Sequence, residues 1–208
     1  MDDAYNDALT FVLRWEGGFA NVPGDAGGRT MKGVTQRVYD AWRAGQGSPP
    51  ADVAKISDDE VAAIYADNYW KKAQCNVLPS YIDMVHFDTA VNMGPNRAVK
   101  MLQQAVGVTA DGAFGPATQQ ACAACSPPDT VASYCSIREA LYRRFAEAPG
   151  QDKFLAGWLN RLNDLRAAAG VPGYVRRGGD EVDFGETDSI EPIPDLAPDE
   201  PLEDWRNP

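Results

Sequence analysis

The chain has 208 residues, 44% hydrophobic and 24% charged, which is the composition of an ordinary globular protein with one core-bearing domain. Its formal charge of −11 is concentrated in the segment from Asp180 to the end, which holds eleven acidic residues and only Arg206 as a base, so residues 1–179 are nearly neutral. Because this part has no concentrated positive field, we expect no nucleic-acid partner. The acidic N-terminus predicts no signal peptide, and no apolar run approaches the ~18 residues of a membrane span, so we expect no stable membrane insertion.

The first predicted element is an amphipathic helix over residues 3–16, where apolar residues recur at i, i+3, i+4 and i+7. Glu16 ends this helix on its apolar face, and Gly17 and Gly18 stop it. From Gly17 to Gly33 there are six glycines and one proline, a composition that predicts turns and a small irregular β-hairpin.

The rest of the chain predicts helices separated by glycine and proline. Thr35 is placed to cap a helix over 36–44, and Ser57 with Glu60 forms a capping box before a helix that runs to about Lys72. Further helices are predicted over 80–93, 96–106, from Pro116, over 129–147 and over 151–169. The fold class is therefore mainly α, and the acidic, proline-containing residues 179–208 are expected to be a disordered tail.

Four cysteines, Cys75, Cys122, Cys125 and Cys135, are expected to be reduced in a chain without an export signal. Cys122 and Cys125 form a C-x-x-C pair, but no second pair exists and the only histidine, His86, is distant in sequence. We therefore predict no metal site and no cofactor. His86 is expected to pack or cap inside its helix.

Two carboxyl groups near the N-terminus suggest acid–base chemistry. An apolar helix face and the negative end of a helix both favour a protonated Glu16, whereas Asp25 lies in a polar, glycine-rich loop that favours its ionised form. Two carboxyls in opposite protonation states are the pattern of glycosidases, and Thr30 is placed to hold a water between them. The alternative is that Glu16 is a solvated helix end and Asp25 only stabilises a turn.

The string RWEGGFANVPGDAGGRTMKGVT (14–35) resembles the signature of glycoside hydrolase family 108, N-acetylmuramidases that occur as phage endolysins. The strings HFDTAVNMGPNRAVKMLQQAVGVTADGAFGPAT (86–118) and GWLNRLNDL (157–165) resemble the peptidoglycan-binding part and closing helix of the same proteins. The resemblance implies a lysozyme-like fold, with a catalytic part over 1–75 and a helical peptidoglycan-binding part over 76–175 packed on it.

The resemblance implies that Glu16 is the catalytic acid. Asp25 keeps the nine-residue spacing of phage-type lysozymes, but Thr30 comes one residue early, so Thr35 is a possible substitute. If Asp25 activates a water, the reaction inverts the anomeric centre. Candidate substrate contacts, each of which is alternatively a core or surface residue, are Phe19, Tyr69, Trp70, Asp88 and Asn92.

The expected activity is hydrolysis of the β-1,4 bond between N-acetylmuramic acid and N-acetylglucosamine, with peptidoglycan glycan strands as partner. The alternatives are a lytic transglycosylase and a non-catalytic wall-binding protein. The resemblance also implies an endolysin made in the host cytoplasm and released to the cell wall by a holin; the alternative is delivery to the wall by a dedicated secretion apparatus. The protein is expected to be a monomer.

Overall fold

The computed structural model describes residues 3–16 and 29–172. The predictions made for Phe19, Asp25 and the tail over 179–208 lie outside the described residues. Within these ranges the helices are α1 (Asp3–Glu16), α2 (Gln36–Gly45), α3 (Asp58–Tyr65), α4 (Ile82–Met93), α5 (Pro95–Ala105), α6 (Pro116–Ala124), α7 (Pro127–Ala146) and α8 (Leu155–Ala168). A two-stranded antiparallel sheet, β1 (Thr30–Met31) and β2 (Val34–Thr35), lies between α1 and α2. The predicted mainly α class with a small hairpin near the N-terminus is confirmed.

Local sequence signals set several helix starts as predicted. The Thr35 hydroxyl accepts a hydrogen bond from the Val38 backbone N–H, which caps α2. Ser57 and Glu60 form both halves of a capping box at α3. Each of these side chains satisfies a backbone N–H that the first helical turn leaves without a partner.

The segment after α3 differs from the single helix predicted up to Lys72. The α-helix ends at Tyr65, and a π-helical turn follows over Ala66–Trp70. Such wide turns are rare and are frequently found at functional sites. In this protein the turn begins directly after Tyr65 and contains Tyr69, and both tyrosines lie close to Glu16.

One hydrophobic core runs through the described residues, from Tyr5 in α1 to Ala169 just after α8. Its centre is α4, which packs against α1, α5 and α7. The rings of Tyr5, Trp70 and Phe87 meet edge to face, with centroids 5.1 to 5.7 Å apart. The expected catalytic and peptidoglycan-binding parts therefore share a single core. None of the helices in the described ranges has the length and apolarity that crossing a membrane requires.

Candidate active site

Glu16 is the last residue of α1, and its side chain is 22% exposed. Its Oε1 accepts a hydrogen bond from Nη1 of Arg161, in α8, over 2.8 Å. Among the described residues, Oε2 has no hydrogen-bond partner. The carboxyl thus contacts a guanidinium directly, in addition to lying at the end of the apolar helix face on which the sequence placed it. The predicted position at the helix end is confirmed.

The turn of the β-hairpin lies against this carboxyl. Gly33 has a φ of +76°, and a Cβ built at this position would lie 3.2 Å from Oε2 of Glu16 and 2.3 Å from the hydroxyl oxygen of Tyr65. That hydroxyl donates a hydrogen bond to the Lys32 carbonyl over 2.9 Å. Only glycine provides both the left-handed backbone and the absence of a side chain that this close approach requires.

Two tyrosines complete the surroundings of Glu16 on the side of the π-helical turn. Burial and the negative charge of Glu16 raise the pKa of Tyr69 to about 12. Burial, followed by the same charge, raises the pKa of Tyr65 well above its ordinary value. The rings of Tyr65 and Tyr69 are 5.6 Å apart. Both phenols therefore stay neutral at physiological pH and offer hydroxyl groups rather than charges to the site.

A buried ion network continues from Arg161 into the core. Oδ1 of Asp88 accepts hydrogen bonds from Nε and Nη2 of Arg161 over 2.9 and 2.7 Å, and Oδ2 accepts one from Nη1 of Arg138 over 2.6 Å. The side chains of Asp88 and Arg138 are fully buried. Burial alone would raise the pKa of Asp88, but the two guanidinium groups hold it below its ordinary value. Asp88 therefore remains a carboxylate that orients both arginines.

The network ends at the surface through a tyrosine and an amide. Nε and Nη2 of Arg138 donate to the hydroxyl oxygen of Tyr142 over 3.0 and 2.8 Å. The Tyr142 hydroxyl in turn donates to Oδ1 of Asn92 over 2.6 Å. A hydrogen-bonded chain thus connects Glu16 to Asn92 through Arg161, Asp88, Arg138 and Tyr142.

Of the remaining predicted residues, some are accessible to a ligand and others are buried. Thr30 and Thr35 are direct partners across the hairpin, and the Thr35 hydroxyl is engaged as the cap of α2. Tyr69 is partly exposed near Glu16, and Asn92 is partly exposed at the far end of the network. These positions leave Thr30, Tyr69 and Asn92 accessible as site residues.

Trp70 and Asp88 do not present their side chains to a ligand. Trp70 is 6% exposed because it fills the aromatic core beside Tyr5 and Phe87. Asp88 is fully buried, and both of its oxygens are bonded to arginines. Because both side chains are buried, the expectation that they contact substrate is wrong. Asp88 instead positions Arg161 beside Glu16.

Sequence reasoning missed Arg161, Arg138 and Tyr65. A usable signal existed in α8, where Arg161 lies beside Leu162 and one turn before Leu165, so it is a charged residue on an apolar stripe. Asp88 gave the complementary signal in α4. Such residues are rarely buried unless they are paired, but sequence alone does not show which acid pairs with which base.

No group of three or more metal-ligating side chains occurs in the part of the chain that the structure describes. The four cysteines are free thiols, and Cys125 Sγ lies 3.1 Å from the Cys122 carbonyl oxygen. His86 is fully buried, with Nδ1 2.8 Å from the Tyr134 hydroxyl and Nε2 2.9 Å from the Ala73 carbonyl oxygen. His86 is thus the packed residue that its helical position predicted.

A helical fold with a small hairpin beside a partly buried glutamate at a helix end is the arrangement of lysozyme-like glycosidases. The family model of glycosyl hydrolase 108 matches residues 9–94, and that of a predicted peptidoglycan domain matches residues 97–163. Among solved structures, the chain is similar to SagA of Brucella abortus, with 30% identity over 85% of this chain and 98% of that one and a TM-score of 0.66. No curated protein matches the chain.

The chain belongs to the glycosyl hydrolase 108 family. The first family match ends at Gly94, between α4 and α5, and the second begins at Arg97, within α5. Together they identify a peptidoglycan hydrolase. Arg161 lies in the second matched segment and Glu16 in the first, so the contact between them joins the two segments.

Proposed function

We propose that the protein is an N-acetylmuramidase that cleaves the β-1,4 bond between N-acetylmuramic acid and N-acetylglucosamine, with Glu16 as general acid. The observation on which this proposal rests is that the two oxygens of the Glu16 carboxyl have different surroundings. Arg161 fixes Oε1, while Oε2 faces the hairpin turn with no hydrogen-bond partner among the described residues. A carboxyl held by one oxygen can present the other to a glycosidic oxygen.

Arg161 contributes to this chemistry through charge as well as orientation. When Glu16 gives its proton to the leaving sugar, a carboxylate forms at a site that is only 22% exposed. The guanidinium already in contact with Oε1 stabilises that carboxylate as it forms. Because this charge develops only along the reaction, the interaction lowers the barrier more than it strengthens substrate binding.

In this proposal Asp25 activates the attacking water, with Thr30 or Thr35 orienting it, and the reaction inverts the anomeric centre. Inverting enzymes place their two carboxyls roughly 6.5 to 9.5 Å apart, which leaves room for that water. The Thr35 hydroxyl already accepts a hydrogen bond from the Val38 backbone N–H as the cap of α2. NMR of the first-formed product decides the point, because a retained β-anomer would exclude water activation by Asp25.

Tyr69 and Asn92 are the described residues that we propose as substrate contacts, and Phe19 remains a prediction of the same kind. Tyr69 offers a neutral hydroxyl and a ring face near Glu16. Sugars present apolar faces and hydroxyl groups, for which a partly exposed tyrosine is suited.

The decisive experiment is a comparison of Glu16→Gln with Glu139→Gln on purified peptidoglycan. Both glutamates are partly buried and pair with arginines, but Glu139 bonds Arg143 and Arg166 at the contact between α7 and α8. Loss of a general acid lowers the rate by about 10² to 10⁴, so we expect that loss for Glu16→Gln and nearly wild-type turnover for Glu139→Gln. Wild-type clearance by Glu16→Gln would refute the assignment.

Two other functions are separated by the same samples. A lytic transglycosylase lets the muramoyl 6-hydroxyl attack in place of water, so mass spectrometry would find anhydro-sugars instead of reducing ends. A non-catalytic wall-binding protein would bind peptidoglycan and release no soluble fragments. The pairing of a partly buried Glu16 with Arg161 favours an enzyme, because a binding surface does not require a carboxyl held in this way.

We also propose that the protein acts as a monomeric phage endolysin that a holin releases to the wall. Expression in a bacterial cytoplasm should then leave the cells intact until the inner membrane is permeabilised. Lysis that begins at once, without permeabilisation, would contradict this route.

A further inference from the structure

The turn of the β-hairpin has a backbone that suits its first residue poorly. The turn consists of Lys32 and Gly33, and both have positive φ, +50° and +76°. A two-residue turn with this backbone favours Asn-Gly or Asp-Gly, because most residues with a Cβ are strained in the left-handed region. Such strained positions persist where the surrounding structure holds them, and they cluster at functional sites. The conformation of Lys32 therefore depends on its contacts outside the hairpin.

Two residues of α3 supply these contacts. Nζ of Lys32 pairs with the carboxylate of Asp58, the first residue of α3, and the Lys32 carbonyl accepts the hydrogen bond from the hydroxyl of Tyr65, the last residue of α3. The Asp58 side chain is 85% exposed, so this ion pair contributes little. Tyr65 is 2% exposed, so its hydroxyl has little water to bond instead. The Tyr65 hydroxyl is therefore the stronger of the two contacts.

The same turn confines the side chain of Glu16. A Cβ built on Gly33 would lie 3.2 Å from Oε2 and 3.3 Å from Cβ of Glu16, so the turn lies along this side chain. Arg161 holds the other carboxyl oxygen. Strands of two residues each do not fix the position of a turn by themselves, because an isolated hairpin is marginally stable at best. The position of the turn against Glu16 thus depends on α3.

We propose that Tyr65 is a positioning residue for Glu16. Its hydroxyl holds the Lys32 carbonyl, the turn is thereby kept against the carboxyl, and Oε2 stays directed to the glycosidic oxygen. Tyr65 acts through the turn and does not touch the substrate, because its side chain is buried. Its ring packs on Tyr69 in the π-helical turn, with 5.6 Å between the centroids. The proposal rests on the proposed function for the role of Glu16.

The first test compares Tyr65→Phe with Tyr39→Phe in the full chain. Each substitution removes one hydroxyl from a buried tyrosine, but the Tyr39 hydroxyl donates to Oε2 of Glu60 over 2.9 Å and not to the hairpin. Steady-state kinetics on solubilised glycan strands gives kcat and KM, and thermal unfolding gives Tm.

The two variants should differ in kcat and not in Tm. Because misplacing a reacting group by about 1 Å can cost 10²-fold, we expect kcat of Tyr65→Phe to fall at least about 10-fold, with KM within about 2-fold of the wild type. Tyr39→Phe should keep the wild-type kcat while its Tm falls by a similar amount. Equal kcat values in the two variants would overturn the positioning role.

A double variant separates catalysis from stability. In Gly33→Ala the added Cβ collides with the Tyr65 hydroxyl oxygen, and Tyr65→Phe removes that atom. We therefore expect Gly33→Ala/Tyr65→Phe to regain part of the Tm that Gly33→Ala loses, while its kcat stays at least about 10-fold below that of the wild type. A purely structural Tyr65 would let kcat recover together with Tm, and that result would refute the proposal.

Turnover by Glu16→Gln is measured beside these variants. If Glu16→Gln loses turnover while Tyr65→Phe keeps it, only the positioning role fails. If Glu16→Gln keeps the wild-type turnover, the proposed function fails and Tyr65 has no general acid to position.

Discussion

Arg161 donates a hydrogen bond to Oε1 of Glu16 over 2.8 Å, although 145 residues separate the two in the chain. The same guanidinium makes two hydrogen bonds to Asp88. Its orientation is therefore fixed from the core side, and the carboxyl of Glu16 is fixed in turn. The segment that matches a peptidoglycan domain thus supplies part of the candidate active site, in addition to any binding role.

Replacing Arg161 should therefore lower kcat more than it changes KM. Arg161→Gln removes the charge beside Glu16, and we expect a loss of about 10²-fold, as for a preorganised donor in other active sites. Arg161→Lys keeps the charge but cannot make all three hydrogen bonds, so it should recover part of the rate. Steady-state kinetics on solubilised glycan strands measures both parameters.

The matched control is Arg143→Gln, which breaks the pair between the half-exposed Arg143 and Glu139. It should leave kcat unchanged, because surface ion pairs contribute little. Wild-type kcat in a folded Arg161→Gln variant would show that Arg161 has no part in the reaction.

Asp88→Asn should strongly destabilise the protein. The substitution leaves Arg138 and Arg161 buried without their shared carboxylate, and breaking a buried pair in this way costs about 3 to 5 kcal/mol. Asp67→Asn, which breaks an exposed pair with Lys71, should cost less than about 1 kcal/mol. Urea unfolding at neutral pH measures both variants, and equal free energies of unfolding would contradict the assigned role of the network.

Gly33→Ala should impair both stability and catalysis. The left-handed backbone at position 33 costs about 1 kcal/mol or more for alanine, and the added Cβ would also collide with the Tyr65 hydroxyl and press on Glu16. Gly47 offers a matched control, because its φ is +67° and a Cβ there meets nothing within 4 Å.

Both variants place alanine at a left-handed backbone position. A difference between them therefore reports the contact of the added Cβ with Tyr65 and Glu16. We expect Gly47→Ala to lose stability only, and Gly33→Ala to lose additional stability and turnover. Thermal unfolding and peptidoglycan turnover of both variants check this prediction. Equal turnover in the two would show that the hairpin turn does not position Glu16.

His86 should make stability depend on pH between about 4 and 6.5. Burial lowers its pKa from 6.5 to about 4, so the unfolded chain binds a proton in this range and the folded chain does not. The stabilisation is complete above pH 6.5 and is lost as pH falls, reaching a loss of about 2 kcal/mol at pH 5.

His86 is the only histidine in the chain, so this effect can be attributed to one side chain. Urea unfolding at pH 7.5 and pH 5 should show the difference in the wild type and a much smaller one in His86→Gln. The same pH dependence in both proteins would refute a neutral, buried His86.

The local structure of this protein follows from short-range signals in the sequence. The apolar period of α1, the Thr35 cap and the Ser57–Glu60 capping box depend on neighbours a few residues apart, and all three appear as predicted. The family signature around Glu16 also identified the glycosidase family from a continuous string. Short-range hydrogen bonds and side-chain periodicity suffice for these features because both partners lie within one or two turns of chain.

The surroundings of Glu16, in contrast, depend on long-range packing. Asp88 and Trp70 were predicted on the substrate side, but long-range packing buries one between two arginines and the other among aromatic rings. Arg161 reaches Glu16 from α8 because α7 packs on α4 and α8 packs on α7, and no local pattern encodes that approach. The charge of a side chain is readable from sequence, but its burial and its partner are properties of the assembled core.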